Sequence, residues 1–309
     1  MPPSAPASAT GSAYRPTISV VIPAFNAAPW LPVALDSISA QSYPNLEIIV
    51  IDDGSTDETP RLLRRHAACD SRLRVISRPN TGIVGALNDG LAAARGHFIA
   101  RMDADDAAAP DRLALQLERF VADPGLVALG SAVTFMDDAG HSVQSCPRPL
   151  HHADIERALL AGDGGAMIHP SVMFRATTLW IAGGYRPAAQ YLEDLDLFLR
   201  LARLGTLANL PQPLLRYRVH PASINFTKQA GRHALKLVLL REAHEHRSLP
   251  FDPSRIPEST THGDPACHAR EWAATSLAFG SRRVAVAHGY RAVRLQPRAP
   301  ASWRALRYA

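Results

Sequence analysis

"LEIIVIDDGSTDETPRLLRRHAA", residues 46–68, decides how this chain folds. Its first six residues are a nearly unbroken apolar run, rich in β-branched side chains and too short for a helix. That is the pattern of a strand buried on both faces. The strand closes on "GSTDETP", where Ser55, Thr56 and Asp57 are expected to cap a helix continuing through "RLLRRHAA". The same unit recurs on either side. "TISVVIPAF" (17–25) is a strand followed by the helical "PWLPVALDSISAQ" (29–41), whose prolines sit near its start, where they are tolerated. "LRVISRP" (73–79) is a third strand, with the helix "NTGIVGALNDGLAAARG" (80–96) behind it, and "HFIARMD" (97–103) is a fourth.

Short strands alternating with helices imply a parallel sheet covered on both faces. Ligands of such sheets sit beyond the carboxyl ends of the strands. Those ends carry Pro23, Phe25 and Asn26; Asp52 and Asp53; Arg78 and Asn80; Asp103 and Asp105. Polar groups at four successive strand ends converge on one rim, which makes that rim the candidate site.

The pattern changes from about residue 124. "LVALGSAVTFMDDAG" (126–140) reads as a strand running into a turn, and "AMIHPSVMFRA" (166–176) as another extended apolar segment. "YLEDLDLFLRLARLG" (191–205) has helical spacing with Leu192, Leu195, Phe198, Leu199 and Leu201 toward the core. Glu193 and Asp194 then fall at the helix start, where the dipole favours negative charge. "PLLRYRVHPASIN" (213–225) closes this half as strand and loop, and no internal repeat links the two halves. Beyond it come a helix (228–246), a Pro-rich connector (247–265) and a small-residue-rich helical pair (269–303), expected to pack on the preceding domain.

Composition narrows the class. Hydrophobic residues make up 47% and charged residues 20%, as in an ordinary globular protein. Cys69, Cys146 and Cys267 lie far apart, which argues for a reducing compartment without a disulfide framework. Residues 1–16 lack the basic start and apolar core of a signal peptide and read as a disordered leader. No apolar run approaches the roughly 20 residues of a membrane helix, so the chain is expected to be cytoplasmic, at most resting on the inner face of the membrane. Residues 1–224 hold 19 Lys and Arg against 22 acids, whereas residues 225–309 hold 14 against six. The basic excess is therefore confined to the tail and gives the main domain no case for nucleic-acid binding, and no aromatic-basic recognition pattern occurs. Residues 281–309 contain seven Arg and no acid, which suits contact with an anionic membrane or a lipid diphosphate.

The rim has neither a GxGxxG fingerprint nor a GxxxxGK[ST] loop, so a glycine cradle is not the main phosphate holder. In "FIARMDADDAAAP" (98–110), Asp103, Asp105 and Asp106 crowd behind an apolar run and require a compensating positive charge. Mg²⁺ or Mn²⁺ held by carboxylates and a substrate diphosphate supplies it.

"ISVVIPAFN", "EIIVIDDGSTDET", "RPNTGIVGALNDGLAAARGHFIARMDADD" and "LEDLDLFLRLARLG", in that order, resemble the family 2 glycosyltransferases. The likeness covers roughly residues 17–225. It implies an α/β GT-A fold, a Rossmann-like mixed sheet flanked by helices, over 17–225, with a basic helical extension over 226–309. It further implies an inverting enzyme that uses a nucleotide-sugar donor, by default a UDP-sugar, with Mn²⁺ or Mg²⁺. The acceptor would be a glycan or lipid-linked hydroxyl in cell-surface polysaccharide assembly.

Carried over by position, the resemblance puts Pro23, Phe25 and Asn26 at the base pocket, and Asp53 with Asp52 on the base or ribose. Asn80 and Gly82 would lie along the nucleotide. Asp103, Ala104 and Asp105 match the family's Asp-x-Asp, with Asp105 the metal ligand and Asp103 on the ribose or a metal-bound water. Asp106 is expected to cap the next helix. His220 in "YRVH" would be a second metal ligand, while His169 would shape the acceptor side. Asp194 would be the general base, and Glu193 would orient donor sugar or acceptor. Leu195 and Phe198 stand where the family often has Tyr and Trp around the sugar pocket. Two alternatives stay open at this point: a sugar-1-phosphate nucleotidyltransferase, which normally has a Gly-rich basic loop after the first strand, and a nucleotide-sugar-binding module without turnover.

Overall fold

Strand β1 (Ile18–Ala24) shows how one short run organises two layers. Side chains alternate across a strand. Ile18, Val20 and Ile22 therefore join helices α1 (Leu31–Ser39) and α4 (Arg112–Ala122) on one face. Val21 points the other way, into a core shared with α3 (Ile83–Ala93) and α7 (Glu193–Leu201). The computed structural model describes residues 17–220, 231–258 and 264–309. The expected leader, 1–16, and the expected boundary near 225 lie outside them.

β2 (Leu46–Asp52), β3 (Leu73–Ser77) and β4 (Phe98–Arg101) pair in parallel with β1 in the order β3-β2-β1-β4. That is the parallel half the sequence pattern implies. The sheet then becomes mixed. β8 (Met173–Arg175) joins β4 antiparallel, and β6 (Leu126–Met136) joins β8 antiparallel. β9 (Thr206–Arg218) runs parallel to β6, and the two-residue β5 (Ala107–Ala108) pairs with β9. β7 (Ser142–Cys146) forms a hairpin with β6. The β6–β9 register slips beside Leu210 and Pro213, where Pro211 and Pro213 cannot donate to the ladder.

Several expectations change. Helix α2 (Thr59–Cys69) starts after the predicted caps. Asp57 does accept from the Thr59 amide (2.9 Å), but the Ser55 hydroxyl accepts from the Asn26 amide (3.0 Å), and Thr56 N donates to Asn26 Oδ1 (2.8 Å). These residues tie two rim loops together instead of capping. The segment 166–176 holds a 3₁₀ turn (His169–Ser171) followed by β8 rather than one extended run, because Pro170 removes a ladder donor in its middle. Helices α5 (His152–Leu160) and α6 (Ala176–Ile181) complete this half.

Helix α8 (Arg232–Glu245) is clamped to α7 by Arg186, which bridges Asp196 and Glu242. The tail holds three helices instead of two: α9 (Pro265–Ala278), α10 (Arg282–Leu295) and α11 (Pro300–Tyr308). They pack on the domain as expected, with His288 of α10 on Asp137 (3.2 Å) and Arg291 on Asp138 (3.0–3.1 Å). No described helix is long and apolar enough to cross a membrane.

Candidate active site

The carboxyl ends of β1, β2 and β4 open into a cleft of about 1080 Å³. Of the residues singled out above, Pro23, Phe25, Asn26, Asp53, Asn80, Gly82, Asp103, Ala104, Asp105, Glu193, Asp194 and His220 all line it, and so does His169. Asp52 does not. It is buried and accepts from the Ser55 amide (3.1 Å), so it shapes the β2 turn from behind.

Asp53 organises the next loop. Its two oxygens accept from the amides of Thr81 (3.1 Å) and Gly82 (2.9 Å), and Arg78 sits 3.4 Å away. Two glycines make this possible. Gly54 has φ +78°, and a Cβ there would meet the Asn80 amide nitrogen at 2.7 Å. Gly82 has φ +87°, open to glycine without strain. Asn26 also adopts a left-handed φ of 49°, which Asn tolerates, and its side chain is locked by the Thr56 amide.

The carboxylates of Asp103, Asp105 and Asp106 have oxygens within 4.8 Å of one another. Each is held differently. Asp103 pairs with Arg101 at 2.6 Å. Burial raises the Asp103 pKa, opposed by Arg101 and reinforced by Asp105. Asp106 is no helix cap. It is fully buried, one oxygen accepts from the Arg218 amide (2.7 Å), and burial with its two acidic neighbours pushes its pKa well up. Asp105 instead meets His220 Nε2 at 3.0 Å. The Trp30 ring stacks on His220 (centroids 4.2 Å apart), and Arg218 Nε donates to the Asp105 carbonyl (2.8 Å).

Sequence reasoning assigned the compensating charge to a metal and missed Arg101. This side chain is buried at the cleft floor. Burial lowers its pKa, but Asp103, Tyr185 and Asp106 outweigh that and hold it raised. Its Nε and Nη1 have no hydrogen-bond partner among the described residues. The available signal was a lone Arg inside the apolar run "HFIARMD". The three aspartates still fit a divalent cation, since their carboxylate oxygens lie within 4.8 Å of one another, and His220 reaches the edge of that set through Asp105.

Across the cleft, Tyr191 turns the chain into α7 with φ 70°, a strained value for an aromatic residue. The helix then opens on Glu193 and Asp194. The helix dipole favours ionised acids here, yet burial wins. Glu193 is raised to about 7 by burial and then by Asp194. Asp194 is also raised by burial, against the Leu195 amide (2.7 Å), Arg232 and Arg101. Glu193 Oε2 is buried without a hydrogen-bond partner among the described residues. Leu195 and Phe198 are core residues. His169 bonds the Tyr185 hydroxyl (2.8 Å), and burial followed by Arg101 holds it neutral.

An acidic cleft at the strand ends of a GT-A sheet, faced by a second acid pair, defines a class. The chain belongs to glycosyl transferase family 2, whose profile matches residues 19–178. It is 34% identical over 220 residues to an uncharacterized glycosyltransferase of Haemophilus influenzae, covering 66% of each chain. It is 29% identical to the chondroitin synthase of Escherichia coli over 63% of its own length, but spans only 28% of that protein. Staphylococcus aureus TarS 1–349, solved with UDP-GlcNAc, superposes with a TM-score of 0.63 at 15% identity, over 94% of this chain and 89% of that one. The mannosyltransferase PcManGT of Pyrobaculum calidifontis, solved with GDP-Man and Mn²⁺, gives 0.54 at 23% identity, over 94% and 78%. These two likenesses establish the GT-A fold.

Proposed function

We propose that the protein transfers a sugar, with inversion, from a nucleotide-diphosphate donor to a hydroxyl of a glycan or lipid-linked acceptor in polysaccharide assembly. What carries the reading is that one cleft gathers two acidic sets of different character: Asp105 with His220 at a strand end, and Glu193 with Asp194 at a helix start. The nucleotide would lie along Pro23, Phe25, Asn26, Asp53, Asn80 and Gly82, with Asp52 supporting from behind. UDP is the default base, and the chondroitin synthase likeness supports a polysaccharide setting.

Asp105 and His220 would hold Mn²⁺ or Mg²⁺, with Asp103 beside them. Mn²⁺ suits the imidazole better, because Mg²⁺ favours all-oxygen shells, and the Mn²⁺ bound to PcManGT supports that choice. When bound, the ion would offset charge on the departing diphosphate. The unpartnered N–H groups of Arg101 and the bare Glu193 oxygen offer a donor and an acceptor to the sugar, because buried polar atoms cost about 1–3 kcal/mol each unless paired. Asp194 would take the proton of the acceptor hydroxyl as that oxygen attacks the anomeric carbon.

The test is nucleotide release and glycoside formation across UDP-, GDP- and dTDP-sugars, with and without Mn²⁺. Release that occurs only with a sugar-1-phosphate and a nucleoside triphosphate would favour a nucleotidyltransferase. Tight donor binding without any turnover would favour a binding module.

A membrane role for the tail rests on a separate observation. Arg283, Tyr290 and Arg294 of α10, with Trp303, Arg304, Arg307 and Tyr308 of α11, are exposed, while Val284, Ala285, His288 and Ala292 face inward. Arginines interleaved with interfacial aromatics suit the headgroup layer of an anionic bilayer, at about 1 kcal/mol per basic residue. Sedimentation with phosphatidylglycerol vesicles, lost at high salt and in Arg294→Glu/Arg307→Glu, is expected. Equal binding to zwitterionic vesicles would remove the role.

A further inference from the structure

The cleft has a second, basic wall. Arg148, from the segment after β7, lines it together with Arg232 and Lys236 from the first turns of α8. Between them lies the turn Gly162–Gly165. A Cβ on Gly162 would sit 3.3 Å from Lys236 Cδ, one on Gly164 3.8 Å from Leu195 Cβ, and one on Gly165 3.7 Å from Arg148 Nη1. Bare backbone thus lets the cations and the start of α7 close around one turn.

Two of these cations, Arg148 and Lys236, lack the paired carboxylate that usually accompanies such burial. Among the described residues neither Arg148 nor Lys236 forms an ion pair. Arg148 donates to Cys146 Sγ (3.1 Å), a poor acceptor, and its buried Nε has no partner among the described residues. Lys236 is half-buried, and burial followed by the neighbouring Arg232 lowers its pKa. Asp163 and Asp194, the acids that Lys236 does feel without an ion pair, already accept from the Gly165 (2.9 Å) and Leu195 (2.7 Å) amides. Like charges sharing a partly dry wall repel one another, and an anion between them removes that cost.

Which ligand brings the anion follows from where the wall stands. The donor-side carboxylates follow β2 and β4, whereas these cations come from the later elements bordering Asp194 and Leu195. Arg232 is close enough to Asp194 to oppose the rise in its pKa. We propose that this wall is an acceptor subsite for an oxyanion, a phosphate or carboxylate carried next to the hydroxyl that receives the sugar. The inference rests on the glycosyl-transfer reading and adds the charge of the acceptor to it.

The test titrates matched probes into the full-length protein held with UDP and Mn²⁺, so that the donor site is filled. One pair is methyl glucuronide against methyl glucoside. The other is a short alkyl diphosphate against the alcohol of the same chain length. The charged member of at least one pair is expected to bind about 10–100-fold more tightly, the range of a charge-assisted hydrogen bond. Which pair responds tells an acidic sugar from a lipid diphosphate. Lys236→Gln and Arg232→Gln are expected to abolish the preference, Lys236→Arg to keep it, and UDP–Mn²⁺ affinity to stay at the wild-type value in all three. Equal binding within both pairs would overturn the subsite alone. A fall in UDP–Mn²⁺ affinity matching the loss of the preference would assign the cations to the donor diphosphate and also overturn it. A wild-type protein that binds no nucleotide would overturn the transfer reading itself.

Discussion

Asp105 Oδ2 and His220 Nε2, 115 residues apart in sequence, lie 3.0 Å from each other at the cleft rim. Neither is held there by this contact alone. Trp30 stacks on His220, and Arg218 ties the Asp105 backbone to the end of β9. Side chains supported in this way keep their geometry when one of the pair is removed. Asp105→Asn should therefore abolish activity and Mn²⁺-dependent UDP binding while the melting temperature stays near wild type. His220→Ala should weaken Mn²⁺ binding by at least the 10–100-fold seen when an outer-shell partner is lost. Full turnover in excess EDTA, or an unchanged Mn²⁺ affinity in His220→Ala, would remove the metal assignment.

Glu193 makes stability depend on pH. An unfolded Glu loses its proton near pH 4.5, but the buried side chain keeps it to about 7. The native state therefore binds more protons in that window, and stability falls as pH rises through it. The penalty is absent below the unfolded value and complete above about 7, where it is on the order of 3 kcal/mol. Glu193→Gln, which mimics the protonated acid, should stabilise the protein at pH 8 and change little at pH 4, as read by urea unfolding. Part of the rise comes from the neighbouring Asp194 charge, so in Asp194→Asn the loss of stability should set in at lower pH. An onset that stays in place would uncouple the two acids.

The tail reaches the metal-side loop through one turn. His288 and Arg291 of α10 hold Asp137 and Asp138, whose carbonyls accept from Arg218 Nη1 (both 2.9 Å), while Trp30 Nε1 donates to the Asp138 carbonyl (3.3 Å). Arg218 and Trp30 are the residues that brace Asp105 and His220. Arg291→Ala should then lower Mn²⁺ affinity, with Arg291→Lys recovering part of it. Arg270→Ala breaks contacts internal to the tail, to Gln296 and Ser302, and serves as the control. If both alanine variants shift Mn²⁺ binding equally, the effect is general destabilisation and the bracing has no special role.

The parallel half of the sheet was legible because β1, β2 and β4 are buried on both faces, and burial writes itself as a continuous apolar run, which the half-buried edge strand β3 still keeps in part. β7, α5 and the tail's third helix were not, since short or surface elements owe their form to packing partners that a local window does not contain. The site followed the same division. Asp53, Asp105 and Asp194 announce themselves at strand ends and a helix start. Arg101 hides inside a strand, and Lys236 and Arg232 join the cleft through the docking of α8 by Leu239, Leu240, Ala243 and the Arg186 bridge, contacts that no local window contains. Asp106 was misread as a cap because its partner, the Arg218 amide, is 112 residues away.

Inversion requires one base, placed where the acceptor oxygen approaches from the side opposite the leaving diphosphate. Asp194 meets the structural demands of that role. Its carboxylate lines the cleft and is fixed by the Leu195 amide, and burial raises its affinity for a proton. A buried carboxylate of raised pKa takes a proton more readily than a solvated one, provided the medium is alkaline enough to ionise it first. Asp194→Asn keeps the shape and the hydrogen-bond capacity but cannot take the proton, so turnover should fall by roughly 10²–10⁴-fold, the usual size of general-base catalysis. Donor and Mn²⁺ affinity should be nearly unaffected, because the residues proposed for the nucleotide sit on other elements, at the strand ends. Glu193→Gln should cost less in kcat and more in KM. Two measurements decide it: single-turnover rates for the variant, and the anomeric configuration of the product by NMR. Near-normal turnover in Asp194→Asn, or a product that retains the donor configuration, would falsify the assignment of Asp194 as the base.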